Sequence, residues 1–154
     1  MLIYFAGPLF SESEKRYNQR LTDRLEAIGY RVFLPQRDGI ELNEPPHDQQ
    51  TKDERRGAIF QLDVSKVLEA DVFLFVLDGR VPDEGACVEL GVAYCQKALQ
   101  NRKKLLIGLH TDVRAIFLDS KLNPMLSVPL EYIAENEDEL VRMLKQYKEA
   151  GTLD

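Results

Sequence analysis

The chain has no tryptophan, two cysteines and two histidines in 154 residues, and each scarcity closes off a class of function. Cys87 and Cys95 fall on one helical stretch, about 12 Å apart at the rise of an α-helix, too far for a disulfide. Together with the lack of a secretory leader, this points to a reducing, cytoplasmic setting. There is no Cys-x-x-Cys or His-x-x-x-His spacing, so no metal site is expected. His47 lies in a polar loop and His110 follows a strand; both read as surface residues rather than catalytic bases. No apolar run approaches the roughly 20 residues that cross a bilayer, and no membrane partner is expected. An excess of cations is also missing. The net charge of −6 leaves no electrostatic footprint for nucleic acid. Gly7-Pro8-Leu9-Phe10 is neither G-x-G-x-x-G nor a P-loop, so a dinucleotide or nucleoside triphosphate has no cradle, and no cofactor is expected.

What is present is an alternation of strands and helices. Leu2 to Ala6 reads as a buried strand. Ser11 and Glu14 form a capping box for a helix carrying Tyr17, Leu21, Leu25 and Ile28, which Gly29 ends. Tyr30 to Leu34 is a second strand, stopped by Pro35. Residues 36–53 are polar and aperiodic, a long loop at a strand's carboxyl end. A helical pattern runs from about Glu54 to before Asp71, followed by a strand at Val72 to Leu77 and a second helix from about Glu84. Lys103 to Leu109 is a fourth strand, preceded by Arg102-Lys103-Lys104 as a solvated hinge. Residues 110–126 read as irregular, Ser127 to Tyr132 as a short edge strand, and Asp138 to Ala150 as a final amphipathic helix. The expected fold is a single domain over 1–154, a three-layer α/β/α sandwich around a mostly parallel sheet, doubly wound in the flavodoxin or Rossmann manner.

In such a sheet, ligands bind at the carboxyl ends of the strands. Three loops converge there, beginning at Gly7, at Gln36 and at Asp78. Glu89 is the residue most in need of explanation. Its helical neighbours at three and four residues are Gly85, Ala86, Val92 and Ala93, so no cation on its own helix can pair with it. Asp78 and Asp83 sit just upstream. One half-buried carboxylate beside further acids suits cleavage at an anomeric carbon, where one carboxylate attacks and a second acid serves the leaving group. Each residue also has a plainer reading. Glu89 could pair with Arg55 or Arg56, Asp83 could cap a helix, Asp63 could be a solvated acid beside Lys66, and Tyr4 and Met125 could be packing residues.

The succession Ile3-Tyr4-Phe5-Ala6-Gly7-Pro8-Leu9-Phe10, then Gln61-Leu62-Asp63, then Pro82-Asp83-Glu84-Gly85-Ala86-Cys87-Val88-Glu89-Leu90-Gly91, resembles the nucleoside 2-deoxyribosyltransferase family. Asn123-Pro124-Met125-Leu126 is similar to that family's C-terminal Asn-x-Met segment, with Pro124 where leucine is more usual. The resemblance covers nearly the whole chain. It implies that Glu89 attacks C1′ of a 2′-deoxynucleoside and carries a covalent 2-deoxyribosyl intermediate, with Tyr4 orienting the carboxylate. Asp63 and Asp83 would hold the substrate or protonate the departing base, with Gly7 and Gln36 contacting substrate. Asn123 and Met125 would be lent to a neighbouring subunit's pocket in a homodimer or hexamer. The partners implied are 2′-deoxynucleosides and free purine or pyrimidine bases. Two other readings stay open: a hydrolase of 2′-deoxynucleoside 5′-monophosphates on the same fold, and a non-catalytic nucleotide sensor.

Overall fold

The computed structural model describes residues 1–40, 47–112 and 122–151. Its strands are β1 (Leu2–Ala6), β2 (Arg31–Phe33), β3 (Val72–Val76), β4 (Leu105–Leu109) and β5 (Tyr132–Ala134). They form one all-parallel sheet in the order β2-β1-β3-β4-β5, with Tyr4 in register with Phe33 on one side and Phe73 on the other. β1, β3 and β4 are buried along their whole length. Their sequences carry almost no polar side chain because helices cover both faces of a parallel sheet.

Helix α1 (Glu12–Ala27) and the C-terminal helix Glu137–Ala150 cover one face, where Leu21, Leu25, Leu140 and Leu144 meet Ile3, Phe5, Leu74 and Ile107. Helices α3 (Lys52–Glu69) and α4 (Glu84–Gln100) cover the other, where Val67, Ala86, Leu90 and Ala93 meet Tyr4, Ala6, Phe73 and Phe75. The two-residue period of a strand sends alternate β1 side chains to opposite faces. Tyr4 therefore looks toward α3 and α4, while its neighbours Ile3 and Phe5 look toward α1. The strand order reverses direction between β1 and β3, which places the topological switch point, and its ligand crevice, at their carboxyl ends. At that point β1 and β3 run close together: a Cβ on Gly7 would sit 3.0 Å from the Val76 Cβ.

Several elements differ from the expectation. Part of the long loop is α2, a turn of helix at Pro35–Asp38, because Pro35 occupies the first turn and the Asp38 carboxylate accepts from the Leu34 amide at 2.8 Å. Helix α3 begins at Lys52, since Thr51 is its N-cap and Glu54 is the third residue of its capping box rather than its start. The edge strand is shifted to Tyr132–Ala134, because Asn123 caps a helical turn at Pro124–Ser127. Lys104 is not a solvated hinge residue: it is 2% exposed, and its Nζ donates to the Val67 carbonyl in the last turn of α3. Residues 41–46 of the expected loop, 113–121 of the irregular stretch and 152–154 lie outside the described residues.

Candidate active site

Tyr4 is fully buried, with its ring stacked between Phe33 at 5.6 Å and Phe73 at 5.8 Å. Held between these rings, its hydroxyl donates to Glu89 Oε1 at 2.6 Å. Burial, and then the nearby Glu89 carboxylate, hold the Tyr4 hydroxyl far above the ordinary phenol range, so it remains a donor. Glu89 projects from α4 beside small residues, as its sequence neighbours required. Burial pushes its carboxyl up to about 7; the Tyr4 hydrogen bond works against that rise, while Asp63 and Asp83 add to it. Neither arginine proposed as a structural partner reaches it: Arg55 donates to the Asp48 carbonyl and Arg56 lies near Asp53. Among the described residues Oε2 of Glu89 has no hydrogen-bond partner, so one oxygen is anchored and the other is free.

Glu89, Asp63 and Asp83 line one cavity of about 360 Å³, together with Gly7, Phe10 and Ile59. That volume falls within the roughly 300–1,000 Å³ typical of small-molecule sites. Asp63 comes from α3, and burial raises its carboxyl above the ordinary value. Its supposed partner Lys66 pairs instead with Glu69 at 2.6 Å. Asp83 both caps and lines: Oδ1 accepts from the Ala86 amide at 2.9 Å, fixing the start of α4 at the cavity edge. The lining is otherwise apolar, and every charged or polar side chain in it is a carboxyl group. Such a wall accepts hydrogen bonds from hydroxyl and amino groups, and supplies protons only where a carboxyl stays neutral.

Other expected residues lie elsewhere. Gln36 does not line the cavity. Its Oε1 accepts from Asn18 at 3.0 Å and its Nε2 donates to the Lys15 carbonyl at 2.8 Å, so both ends of the amide tie α2 to α1. Asp78 is likewise spent, accepting from the Thr111 amide and hydroxyl at 2.6 Å each and from the Asp112 amide at 3.0 Å. Asn123 Oδ1 accepts from the Met125 amide at 2.9 Å, and Met125 is 78% exposed; neither lines the cavity of its own chain. Phe10 was missed, although it lines the cavity while 78% exposed. A signal for it existed in the sequence. An apolar residue just before an N-cap ordinarily packs on the fourth helical residue, which here is Lys15, so Phe10 had no local partner. His47 is bonded to Gln50 at 2.8 Å and does not line the cavity. Among the described residues, no group of three or more His, Cys, Asp or Glu side chains could hold a metal ion.

Comparison with known proteins agrees with this architecture. A solved structure of a conserved protein from Enterococcus faecalis V583 superposes with a TM-score of 0.75 at 25% identity, over 95% of this chain and 98% of that one. The 2-deoxyribosyltransferase of the psychrotolerant bacterium Bacillus psychrosaccharolyticus superposes with a TM-score of 0.72 at 21% identity, over 92% of this chain and 90% of that one, which shows a shared fold. No curated protein sequence matches. The family model described as nucleoside 2-deoxyribosyltransferase matches residues 3–144, a span that holds β1 from Ile3 onward, the cavity acids and the Asn123 segment. The chain belongs to the nucleoside 2-deoxyribosyltransferase family.

Proposed function

We propose that the protein transfers the 2-deoxyribosyl group between nucleobases through a covalent ester on Glu89, with retention at C1′. The observation that carries this reading is the Tyr4–Glu89 bond of 2.6 Å at the wall of the cavity. It presents one anchored and one free carboxylate oxygen at the switch point of the sheet. In the first half-reaction Oε2 bonds to C1′ as the glycosidic C–N bond breaks. The bonding pair leaves with the base nitrogen, which takes a proton from Asp63. Burial favours the neutral form of that carboxyl, as a proton donor requires. In the second half-reaction an incoming base attacks C1′, the ester bond returns its electrons to Glu89, and the base's surplus proton passes back to Asp63. Two inversions give overall retention.

Asp83, already oriented by the Ala86 amide, accepts from a sugar hydroxyl with its remaining lone pairs. The backbone at Gly7 forms the floor, and the apolar lining receives the base. Asn123 and the exposed Met125 complete a neighbouring subunit's cavity in a homodimer or larger assembly. The two free cysteines, Cys87 and Cys95, fit a reducing cytoplasmic setting.

The test is base exchange. Deoxyinosine or thymidine mixed with adenine should yield deoxyadenosine, followed by chromatography. Free base and deoxyribose without a new nucleoside, or turnover of 5′-monophosphates at comparable rates, would mean a hydrolase instead.

A further inference from the structure

A separate cavity of about 800 Å³ lies at the amino end of β4, the opposite end of the parallel sheet from the Glu89 cavity, and shares no lining residue with it. Asn101 ends α4 in the left-handed conformation, at φ 51°, and the turn carries Arg102 and Lys103 to the cavity wall. Basic side chains at such junctions commonly serve the fold by bonding carbonyls, and two lysines here do so. Lys104 donates to the Val67 carbonyl at the end of α3, and Lys97 donates to the Lys104 carbonyl at 2.8 Å. Arg102 and Lys103 do not. Among the described residues neither has a hydrogen-bond acceptor or a carboxylate partner.

We propose that this cavity binds a phosphate-bearing small molecule through the Arg102 guanidinium, the Lys103 ammonium and the Tyr147 hydroxyl. Tyr147, on the C-terminal helix, is only 6% exposed, yet its hydroxyl has no hydrogen-bond partner among the described residues. A buried phenol ordinarily finds one, as Tyr30 does by donating to the Leu144 carbonyl at 2.8 Å. For Tyr147 the space that can supply a partner is the cavity it lines. Lys103 leans over the same turn of helix: a Cβ on Gly151, whose amide donates to the Tyr147 carbonyl, would sit 3.3 Å from Lys103 Nζ. Glu131 is the one carboxylate in the described lining, and it is already held by Lys97 at 2.6 Å and the Leu106 amide at 2.9 Å. The charges of Arg102, Lys103 and the buried Lys104 are therefore left unbalanced, in a chain whose net charge is −6. An anion among them relieves their mutual repulsion. A planar guanidinium, a point-charge ammonium and a neutral hydroxyl suit the three oxygens of a phosphate monoester, where a carboxylate offers only two. The volume leaves room for the organic part of the ligand beside the exposed ring of Tyr94. This site does not depend on the transferase reading.

The experiment titrates glycerol phosphate, inorganic phosphate and acetate into the full chain at constant ionic strength, following backbone amide resonances. Glycerol phosphate should shift the amides from Asn101 to Leu105 and around Tyr147 saturably, with acetate at least about tenfold weaker. Inorganic phosphate binding as tightly as the ester would identify free phosphate as the ligand; weaker binding would identify an organic monoester. Arg102→Ala and Lys103→Ala should each weaken the ester about tenfold. Tyr147→Phe, which removes a donor but no charge, should also weaken it about tenfold, whereas diffuse attraction to a basic surface would not register the change. If Tyr147→Phe does not fold, Arg102→Lys carries the same test: it keeps the charge, loses the two-pronged contact and should cost about threefold. Absence of saturable shifts, acetate binding as tightly as the ester, or wild-type affinity in folded Tyr147→Phe or Arg102→Lys overturns the proposal. Base exchange enters none of these readouts, so a failure of the transferase reading would leave this result standing.

Discussion

The Tyr4 hydroxyl donates to Glu89 Oε1 at 2.6 Å across 85 residues of sequence, joining the middle of β1 to the first turns of α4. That bond is the main force opposing the rise of the Glu89 carboxyl, which burial pushes up to about 7. Attack on C1′ needs the ionised carboxylate, so the rate should climb as pH rises through about 7. Tyr4→Phe deletes the donor and should move that acidic limb to higher pH, with kcat at neutral pH reduced about tenfold. A pH–rate profile of Tyr4→Phe that overlays wild type would separate Tyr4 from catalysis.

The same burial has a cost in stability. Because the folded-state value for Glu89, about 7, lies above the ordinary 4.5, the folded protein favours the protonated carboxyl. The stability that proton brings is fully present below the unfolded value and is lost as pH rises through about 7. Glu89→Gln, which cannot ionise, should therefore melt higher than wild type at pH 8, by about 5 °C, with the difference closing near pH 5. Thermal melts at the two pH values check this, and equal melting points at pH 8 would contradict it.

Lys104 makes an opposite case at the amino end of β4. Burial lowers its ammonium from 10.5 to about 8, while its Nζ donates to the Val67 carbonyl. A depressed lysine costs stability while it is held charged in the fold, and that cost is relieved as pH climbs from about 8 toward 10.5. Lys104→Met should stabilise the protein by about 2 kcal/mol at pH 7, once the lost hydrogen bond is set against the desolvation removed. The gain should shrink by pH 10. Denaturant melts across this range read the effect, and a destabilised variant at pH 7 would show that the carbonyl contact outweighs the burial of charge.

Much of this was legible because local pattern and tertiary role coincide. Leu2–Ala6 and Val72–Val76 are buried on both faces, so their composition alone marks central strands. Glu89 stood out because no side chain on its own helix could neutralise it. What failed depended on partners from other elements. Nothing local says that Gln36 will spend its amide on Asn18 and Lys15, or that Asp78 will latch Thr111 while Asp83, five residues later, lines the cavity. Lys104 reads as solvent-facing beside Arg102 and Lys103 until β4 draws it under α3. The edge strand was misplaced because Asn123 and Pro124, read as loop residues, are the N-cap and first residue of a helical turn.

Sharing of the cavity between subunits can be tested by complementation. Asn123 and Met125 stay outside their own cavity, and Met125 is 78% exposed. Co-expressed Asn123→Ala and Glu89→Ala chains should regain activity, since a mixed dimer then holds one cavity with both native residues. Each variant alone should be at least tenfold impaired. No recovery in a proven mixed oligomer would mean that Asn123 serves its own subunit or has no role in catalysis.

The central claim is that Glu89 carries the sugar. The most direct measurement is mass spectrometry of the protein quenched in acid during incubation with a 2′-deoxynucleoside and no acceptor base. The account predicts an added mass of one 2-deoxyribosyl unit, located by digestion on the peptide containing Glu89, and discharged when adenine is supplied. Exchange activity with no adduct, or an adduct on another residue, would contradict it.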